Sequence, residues 1–178
     1  EGSTLKHPYE EILDLLFPLA ASYSANVDVE MTVVSGRTHK ETLDAYYELL
    51  MQAILEPAFK QEDLDRIKSR TLNYLENTLR YASDEELGKA VLYNTIFSGT
   101  PYGHVAEGRI GSVKSITLDD VRDFYHAQYT QGNVVIGIGG GYQPALVEKL
   151  RGDLSRLPAG KPAPVAPPSP KPIEGMHV

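Results

Sequence analysis

Helical patterns of apolar side chains, capping residues or both occur in six stretches of the chain. In the first stretch, Pro18 should end or kink the helix near Phe17, because proline lacks a backbone N–H donor and crowds the preceding turn. The helices are predicted over residues 8–23, 38–56, 61–80, 83–97, 117–128 and 144–157.

Three of these helices begin with the pattern of a capping box, in which a Ser or Thr is followed three residues later by an acidic residue. Such a pair satisfies backbone donors in the first helical turn, so it marks where a helix starts. The pairs are Thr38 with Glu41, Ser83 with Glu86, and Thr117 with Asp120.

Two stretches have strand patterns. From Ala25 to Ser35, apolar and polar residues alternate, which predicts a half-buried strand with one face in water, ended by Gly36. Asn133–Ile138 has no polar alternation and predicts a strand that is buried on both faces. Asp28 and Glu30 share one face of the first predicted strand, where they either line a peptide-binding cleft or simply face water.

Composition narrows the classes of protein. The chain has 178 residues, of which 42% are hydrophobic, so it is long enough to build a core. It has no Cys, which excludes disulfides and Cys-ligated metal sites. Its net charge of −7 argues against nucleic-acid binding. No apolar run is long enough to span a membrane, and the compartment stays open between bacterial periplasm and cytoplasm.

Residues that carry chemistry are scattered. No two of the five His form an H-x-x-E-H pair on a helix. Gly137-x-Gly139 follows a predicted strand and precedes a helix, as in a dinucleotide-binding turn, but Tyr142 stands where the third Gly is needed. The loop from Thr100 to His104 is interpreted either as a functional loop or as turn chemistry in which Tyr102 serves as a packing anchor.

Three stretches, in this order and spacing, resemble one family: the insulinase, pitrilysin and mitochondrial processing peptidase family of inverzincin zinc peptidases. The resemblance runs from about Glu1 to Leu157. It rests on Glu56-Pro57-Ala58-Phe59 with Glu62-Asp63-Leu64-Asp65-Arg66, on Thr100-Pro101-Tyr102-Gly103-His104 with Ser112–Val121, and on Phe124-Tyr125 with Asn133–Gly140.

The resemblance implies an α+β fold with two layers, in which a mixed, mostly antiparallel sheet packs against several helices. Such domains pair, and two halves close like a clamshell around an extended peptide. Zinc is held by two His of an H-x-x-E-H helix and by a Glu on a later helix, and the motif's own Glu activates the attacking water. Residues 1–157 would form one such domain, and residues 158–178 a Pro-rich linker with the start of a following strand.

The chain departs from the family pattern at the zinc site. It contains no H-x-x-E-H, which we expect before Glu1 in a longer parent protein if that protein has one. The family's acidic pair, seven residues apart on a helix, falls near Ile67 and Tyr74, so the acidic ligand is missing there. Glu76 is a candidate metal ligand only after a shift of register. We therefore predict that the zinc-site positions in this chain are degenerate and that the chain has no catalytic residue or cofactor. Zinc would be bound in the longer parent protein or in its partner.

Three functions follow as hypotheses. The first is a non-catalytic domain of a metallopeptidase-like protein, which pairs with a second homologous domain or subunit and binds an extended peptide at a sheet edge. The second is a fragment of an active zinc endopeptidase, a hydrolase. The third is a small-molecule or nucleotide-binding α/β module that uses Gly137–Gly141. Under all three, we expect the isolated chain to cleave nothing.

Overall fold

The computed structural model describes residues 2–161, 169, 172 and 175. The predicted linker and strand start over residues 158–178 lie largely outside the described residues, so they stay predictions. No helix within the described part is long and apolar enough to cross a membrane.

The elements follow one another in a mostly helical order. The α-helices are α1 (Tyr9–Leu16), α2 (Leu43–Leu55), α3 (Gln61–Asn73), α4 (Asp84–Ile96), α5 (Ile110–Ser115), α6 (Leu118–Gln128) and α7 (Pro144–Leu154). A π-helix, Tyr74–Ala82, continues α3 directly. Single 3-10 turns lie at Phe17–Leu19, Lys40–Thr42 and Gln131–Asn133. The strands β1 (Ser22–Val27) and β2 (Thr32–Arg37) pair with each other as an antiparallel hairpin.

The structure confirms all six predicted helices and corrects some of their bounds. The first ends at Leu16 and not at residue 23, because Pro18 turns the chain into a 3-10 turn that closes at Ala20 in the left-handed region. The helix predicted over residues 61–80 is present, but after Asn73 its backbone hydrogen bonds change from the α pattern to the π pattern. The short helix α5 had no counterpart among the predicted elements.

Two of the three predicted caps form. Thr117 and Asp120 make a complete capping box at α6, and the Ser83 side chain accepts a bond from the Glu86 backbone at α4. The predicted box at Thr38 is wrong. Residues 40–42 form a 3-10 turn capped by His39, and α2 starts after it. The Thr38 hydroxyl lies 2.9 Å from that of Thr42.

The predicted single strand from Ala25 to Ser35 is wrong, because the chain reverses within it. Asp28 Oδ1 accepts bonds from the backbone N–H of Glu30 at 2.7 Å and of Met31 at 2.8 Å. A side chain that caps its own following backbone in this way makes a turn. Asp28 and Glu30 therefore lie in the exposed turn of a hairpin and do not share the wet face of one strand.

The predicted buried strand over Asn133–Ile138 is also wrong within the described residues. Residues 134–138 belong to no strand, and Val135 is 98% exposed. The apolar composition of this segment predicted a strand with both faces buried. Such a strand forms only where neighbouring strands pair with it, and a local sequence pattern does not show whether they are present. The strand that the dinucleotide hypothesis required before Gly137–Gly141 is thus not formed there.

The fold class is α+β, as predicted, and the sheet within the described residues is a two-stranded antiparallel hairpin. The chain divides into two compact units. The first is made of residues 2–26, 34–64 and 117–161, and the second mainly of residues 27–33 and 65–116.

The first unit has a core at the meeting of α1 and α2. Ile12 and Leu16 come from α1, and Tyr46 and Leu49 from α2. Around this core, Ser3 N–H donates a buried bond of 2.7 Å to Asp63 Oδ2. Tyr125 Oη donates to the carbonyl of Ile54 at 2.7 Å, which ties α6 to the end of α2.

The second unit has its own core around the π-helix. Leu75 and Leu79 project from the π-helix onto Val113 of α5, and Leu87 and Val105 pack against them. Burial of these aliphatic side chains explains why the π-helix, α4 and α5 hold together. This core supports the cavity described below.

Candidate functional site

The two positions predicted for the family's acidic pair lie on α3 and on the π-helix that continues it. Ile67 is a half-buried residue of α3, and Tyr74 is the first residue of the π-helix. Glu76 follows two residues later, and its Oε1 accepts a bond of 2.9 Å from Lys114 Nζ. The candidate ligand is thus engaged by a lysine of α5.

The described residues do not fit a zinc ion. A protein zinc site needs three or four N, O or S ligands that converge on one point. Among the residues that the structure describes, no group of three or more His, Asp and Glu side chains is placed to hold a metal ion. Ile67 and Tyr74, at the positions predicted for the acidic pair, supply no zinc ligand of the usual kind.

The four described His have local partners instead. His7 Nδ1 lies 3.1 Å from Glu11 Oε1, and His104 Nδ1 lies 2.7 Å from its neighbouring carbonyl at Val105. His39 caps the 3-10 turn, and His126 contacts the rings of Phe59 and Tyr125. His177 lies outside the described residues.

One face of the helix around Glu76 forms a polar cleft of about 460 Å³. Its lysine, Lys68, donates from Nζ to the carbonyls of Lys114 at 2.9 Å and Ile116 at 2.8 Å. These bonds tie α3 to the end of α5. The cleft is therefore a hydrogen-bonded surface whose charged groups already have protein partners.

A second cavity of the same unit, about 560 Å³ in volume, has aromatic walls. It lies beside α4, the π-helix and the loop that follows α4, and Val29 of the hairpin turn also lines it. Its aromatic lining residues are Tyr74, Tyr93, Phe97 and Tyr102, and its charged ones are Glu86, Lys89 and Glu107. We call this space the aromatic cavity.

The aromatic cavity joins two regions that the sequence marked separately. Tyr102 Oη donates a hydrogen bond to Glu30 Oε1, so the loop of residues 100–104 is fastened to the hairpin turn. Tyr102 also packs against Phe97, with ring centroids 5.9 Å apart. Tyr102 therefore does serve as an anchor, and it does so at the wall of a cavity.

The electrostatic environment of the cavity is acidic. The hydrogen bond to Glu30 raises the pKa of the Tyr102 hydroxyl, with smaller contributions from burial and from the charges of Glu30 and Asp28. Burial raises the pKa of Tyr74, and the charges of Glu107 and Glu86 add to this effect. Both hydroxyls thus stay protonated, and their surroundings disfavour further negative charge.

Hydrogen bonds stabilise the charged forms of the Asp28 carboxylate and the Lys89 ammonium group. Backbone N–H bonds from Glu30 and Met31 lower the pKa of the Asp28 carboxyl. Lys89 Nζ lies 2.7 Å from Glu85 and 2.9 Å from Glu86, and these two bonds raise its pKa. The single lysine of the lining is thus offset by two carboxylates.

Sequence reasoning missed Tyr93 and Phe97 as site residues. They are four residues apart on α4, so they lie on one face, and their rings stack with centroids 6.2 Å apart. Gly103 provides a second signal, because a Cβ there would lie only 2.6 Å from the carbonyl oxygen of Phe97. The loop can approach α4 this closely only with glycine at that position.

Comparison with known proteins finds one family model and several similar proteins. Residues 115–178 match the family model described as the Peptidase M16 inactive domain. The protein named Non-peptidase homolog YmxG, from Helicobacter pylori, is 28% identical over 149 residues, which cover 83% of this chain and 34% of that protein. The Mitochondrial-processing peptidase subunit beta of Caenorhabditis elegans is 20% identical, covering 74% of this chain and 28% of its own.

Among solved structures, the fold is similar to that of a peptidase M16 inactive domain from Pseudomonas fluorescens. The TM-score is 0.83 at 23% identity, over 95% of this chain and 41% of the other. At this identity the likeness concerns the fold. The chain thus spans about a third of the curated relatives and less than half of that solved chain.

These findings confirm the predicted resemblance: in sequence and fold, the chain is similar to proteins of the M16 peptidase kind. The matched family model is described as an inactive domain, and one of the relatives is named a non-peptidase homolog.

Proposed function

We propose that this chain is a non-catalytic domain that holds an extended peptide and faces a second homologous domain or subunit of a peptidase-like protein. The degenerate positions support the non-catalytic role, because Ile67 and Tyr74 stand where the family pattern has acids, and Lys114 engages Glu76. Zinc, if the whole protein uses it, would be bound in the parent or its partner.

The observation that carries the peptide-holding role is the open hairpin. Within the described residues, β1 and β2 pair only with each other, so each strand has an outer edge without a described strand beside it. An open edge presents backbone N–H and C=O groups to which an extended peptide can add as a further strand.

The register of the hairpin identifies the outward groups. Asp28 N–H donates to the carbonyl of Met31 at 3.0 Å, and hydrogen-bonded positions alternate along antiparallel strands. Counting away from that bond, the N–H groups of Ala25 and Val34 point outward, one on each edge. These are the groups that would bond to an added peptide.

Exposed apolar side chains support the same role. Val27 is 55% exposed and Met31 54%, and Val33 and Val34 are exposed as well. Alternating side chains of an added peptide would cover such positions and remove apolar surface from water. Asp28 and Glu30, in the turn between the strands, would contact polar groups of the peptide at one end of the edge.

The experiment measures binding of short, unstructured, fluorescently labelled peptides to the chain by anisotropy. We expect binding without cleavage. Val34→Pro and Ala25→Pro each remove one outward N–H without removing a bond between β1 and β2, because proline is tolerated at sheet edges. We expect one of them to abolish binding, while Val34→Ala, the matched control, retains most of it.

A peptide-side measurement separates lost binding from lost folding. Peptides that are N-methylated at alternate residues cannot form the edge bonds in one of two registers, and the protein stays unchanged. We expect one methylation register to abolish binding and the other to retain it. Equal binding of both registers, together with full binding by both proline variants, would show that no strand is added at this hairpin.

A further inference from the structure

We propose that the aromatic cavity is a binding site for an organic cation, that is, a guanidinium or alkylammonium group. This site goes beyond peptide capture at the hairpin edge and does not depend on it. It lies wholly within the second unit, and its walls come from α4, the π-helix and the loop after α4, with the hairpin turn beside it.

The ring geometry is the first argument. Tyr93 and Phe97 stack with an interplanar angle of 15°, and Tyr102 is tilted by 48° against Phe97. Tyr74 contributes a further ring from the π-helix. Faces of aromatic rings carry partial negative charge, so several rings around one space attract a cation at about 6 Å or less.

The charge balance is the second argument. Glu86 and Glu107 line the cavity, and Glu30 is fastened to its wall through Tyr102. Lys89 is the lysine of the lining, and Glu85 and Glu86 both pair with it. An anion would meet these carboxylates, whereas a cation would gain both their charge and the ring faces.

The form of the cavity is the third argument. Its volume of about 560 Å³ lies within the range of small-molecule sites, roughly 300 to 1,000 Å³. The bond between Tyr102 and Glu30 fixes one wall before any ligand arrives. Preorganised walls lower the entropy cost of binding.

The test compares cations with neutral molecules of the same shape, using the 178-residue chain. The probes are choline against 3,3-dimethylbutan-1-ol, and N-acetylarginine amide against N-acetylcitrulline amide. Binding is followed by NMR shifts of the tyrosine rings during titration. We expect the cation of each pair to bind at least about tenfold more tightly than its neutral partner, since the contribution of a desolvated cation–π contact reaches that size.

Variants locate the site. Tyr93→Leu and Phe97→Leu keep apolar bulk but remove ring faces, and Glu107→Gln removes a charge without changing shape. Each should weaken cation binding by about fivefold or more. The matched controls are Tyr81→Leu, an exposed tyrosine outside the lining, and Glu10→Gln, an exposed acid of α1, neither of which should change binding.

A separate comparison distinguishes a free cation from a cationic side chain of a peptide. If N-acetylarginine amide binds as tightly as an unstructured peptide that contains Arg, the site takes free cations; tighter binding of the peptide assigns it to a cationic side chain. Either result supports the site. Equal binding of choline and its neutral analogue, or unchanged binding in Tyr93→Leu and Glu107→Gln, would overturn the proposal. Because Val34→Pro leaves the cavity intact, cation binding should persist in that variant.

Discussion

Tyr47 Oη donates a hydrogen bond of 2.6 Å to Asp153 Oδ2, which joins α2 to α7 across 106 positions of sequence. Lys149 completes the group: its Nζ lies 2.9 Å from the same carboxylate oxygen and 4.1 Å from the centroid of the Tyr47 ring. Burial, followed by the bond to Asp153, raises the pKa of the Tyr47 hydroxyl, so it remains a donor at neutral pH.

Tyr47→Phe should destabilise the first unit by about 1 to 2 kcal/mol, because it removes a bond to a charged acceptor and leaves the ring in place. Urea denaturation followed by circular dichroism measures the free energy of unfolding. Tyr81→Phe, at an exposed tyrosine, is the control and should change it little. Similar stabilities for the two variants would mean that the bond from Tyr47 contributes nothing.

The same carboxylate should make stability depend on pH. The bond from Tyr47, and then the bond from Lys149, lower the pKa of Asp153 in the folded chain. A group of this kind contributes fully above its unfolded pKa, and the contribution is lost as pH falls through its folded pKa. Thermal unfolding between neutral and acidic pH should therefore show a smaller loss of stability in Asp153→Asn than in the unaltered chain. Parallel pH profiles would contradict this.

Gly36→Ala should destabilise the hairpin. A Cβ at position 36 would lie 2.0 Å from Tyr46 Oη and 2.6 Å from the carbonyl oxygen of Ser22, so both must move. We expect a loss of about 1 to 3 kcal/mol in the free energy of unfolding, as for overpacking in general. Gly36→Ala combined with Tyr46→Phe should recover part of the loss, because one of the two clashes is relieved.

Gly88→Ala is the matched control for that substitution. Gly88 lies inside α4, and a Cβ there would meet nothing within 4 Å. Alanine is the better helix former, so the control should stabilise the chain by up to about 1 kcal/mol. Loss of stability in both glycine variants to the same extent would argue against the specific clash at Gly36.

The purified chain should cleave no peptide and should bind zinc well below one equivalent. The physical reason is that Glu76 is paired with Lys114, and the positions seven residues apart hold Ile67 and Tyr74. Peptide cleavage assays with and without a chelator, together with metal analysis by mass spectrometry, test this. One tightly bound zinc per chain that is lost in Glu76→Gln would contradict this prediction and would identify Glu76 as a zinc ligand.

Local signals account for what could be predicted of the fold. Ser83 and Thr117 cap the helices that they were expected to cap, because the bonds involved span only three residues. Pro18 ended α1 near Phe17 for a similarly local reason. The alternation of apolar and polar residues between Ala25 and Ser35 is compatible with one strand or with two. The hydrogen bonds that the Asp28 side chain accepts stabilise a turn, and so two strands form.

The sequence by itself determined the helices, the acidic charge and the resemblance to the M16 peptidases. These depend on residue identity and on contacts between near neighbours. Only the tertiary structure showed that Glu30 meets Tyr102, 72 positions away, and that four aromatic residues line one cavity. Contacts between residues so far apart in sequence depend on how separate elements pack. They therefore cannot be predicted from local hydrophobic periodicity.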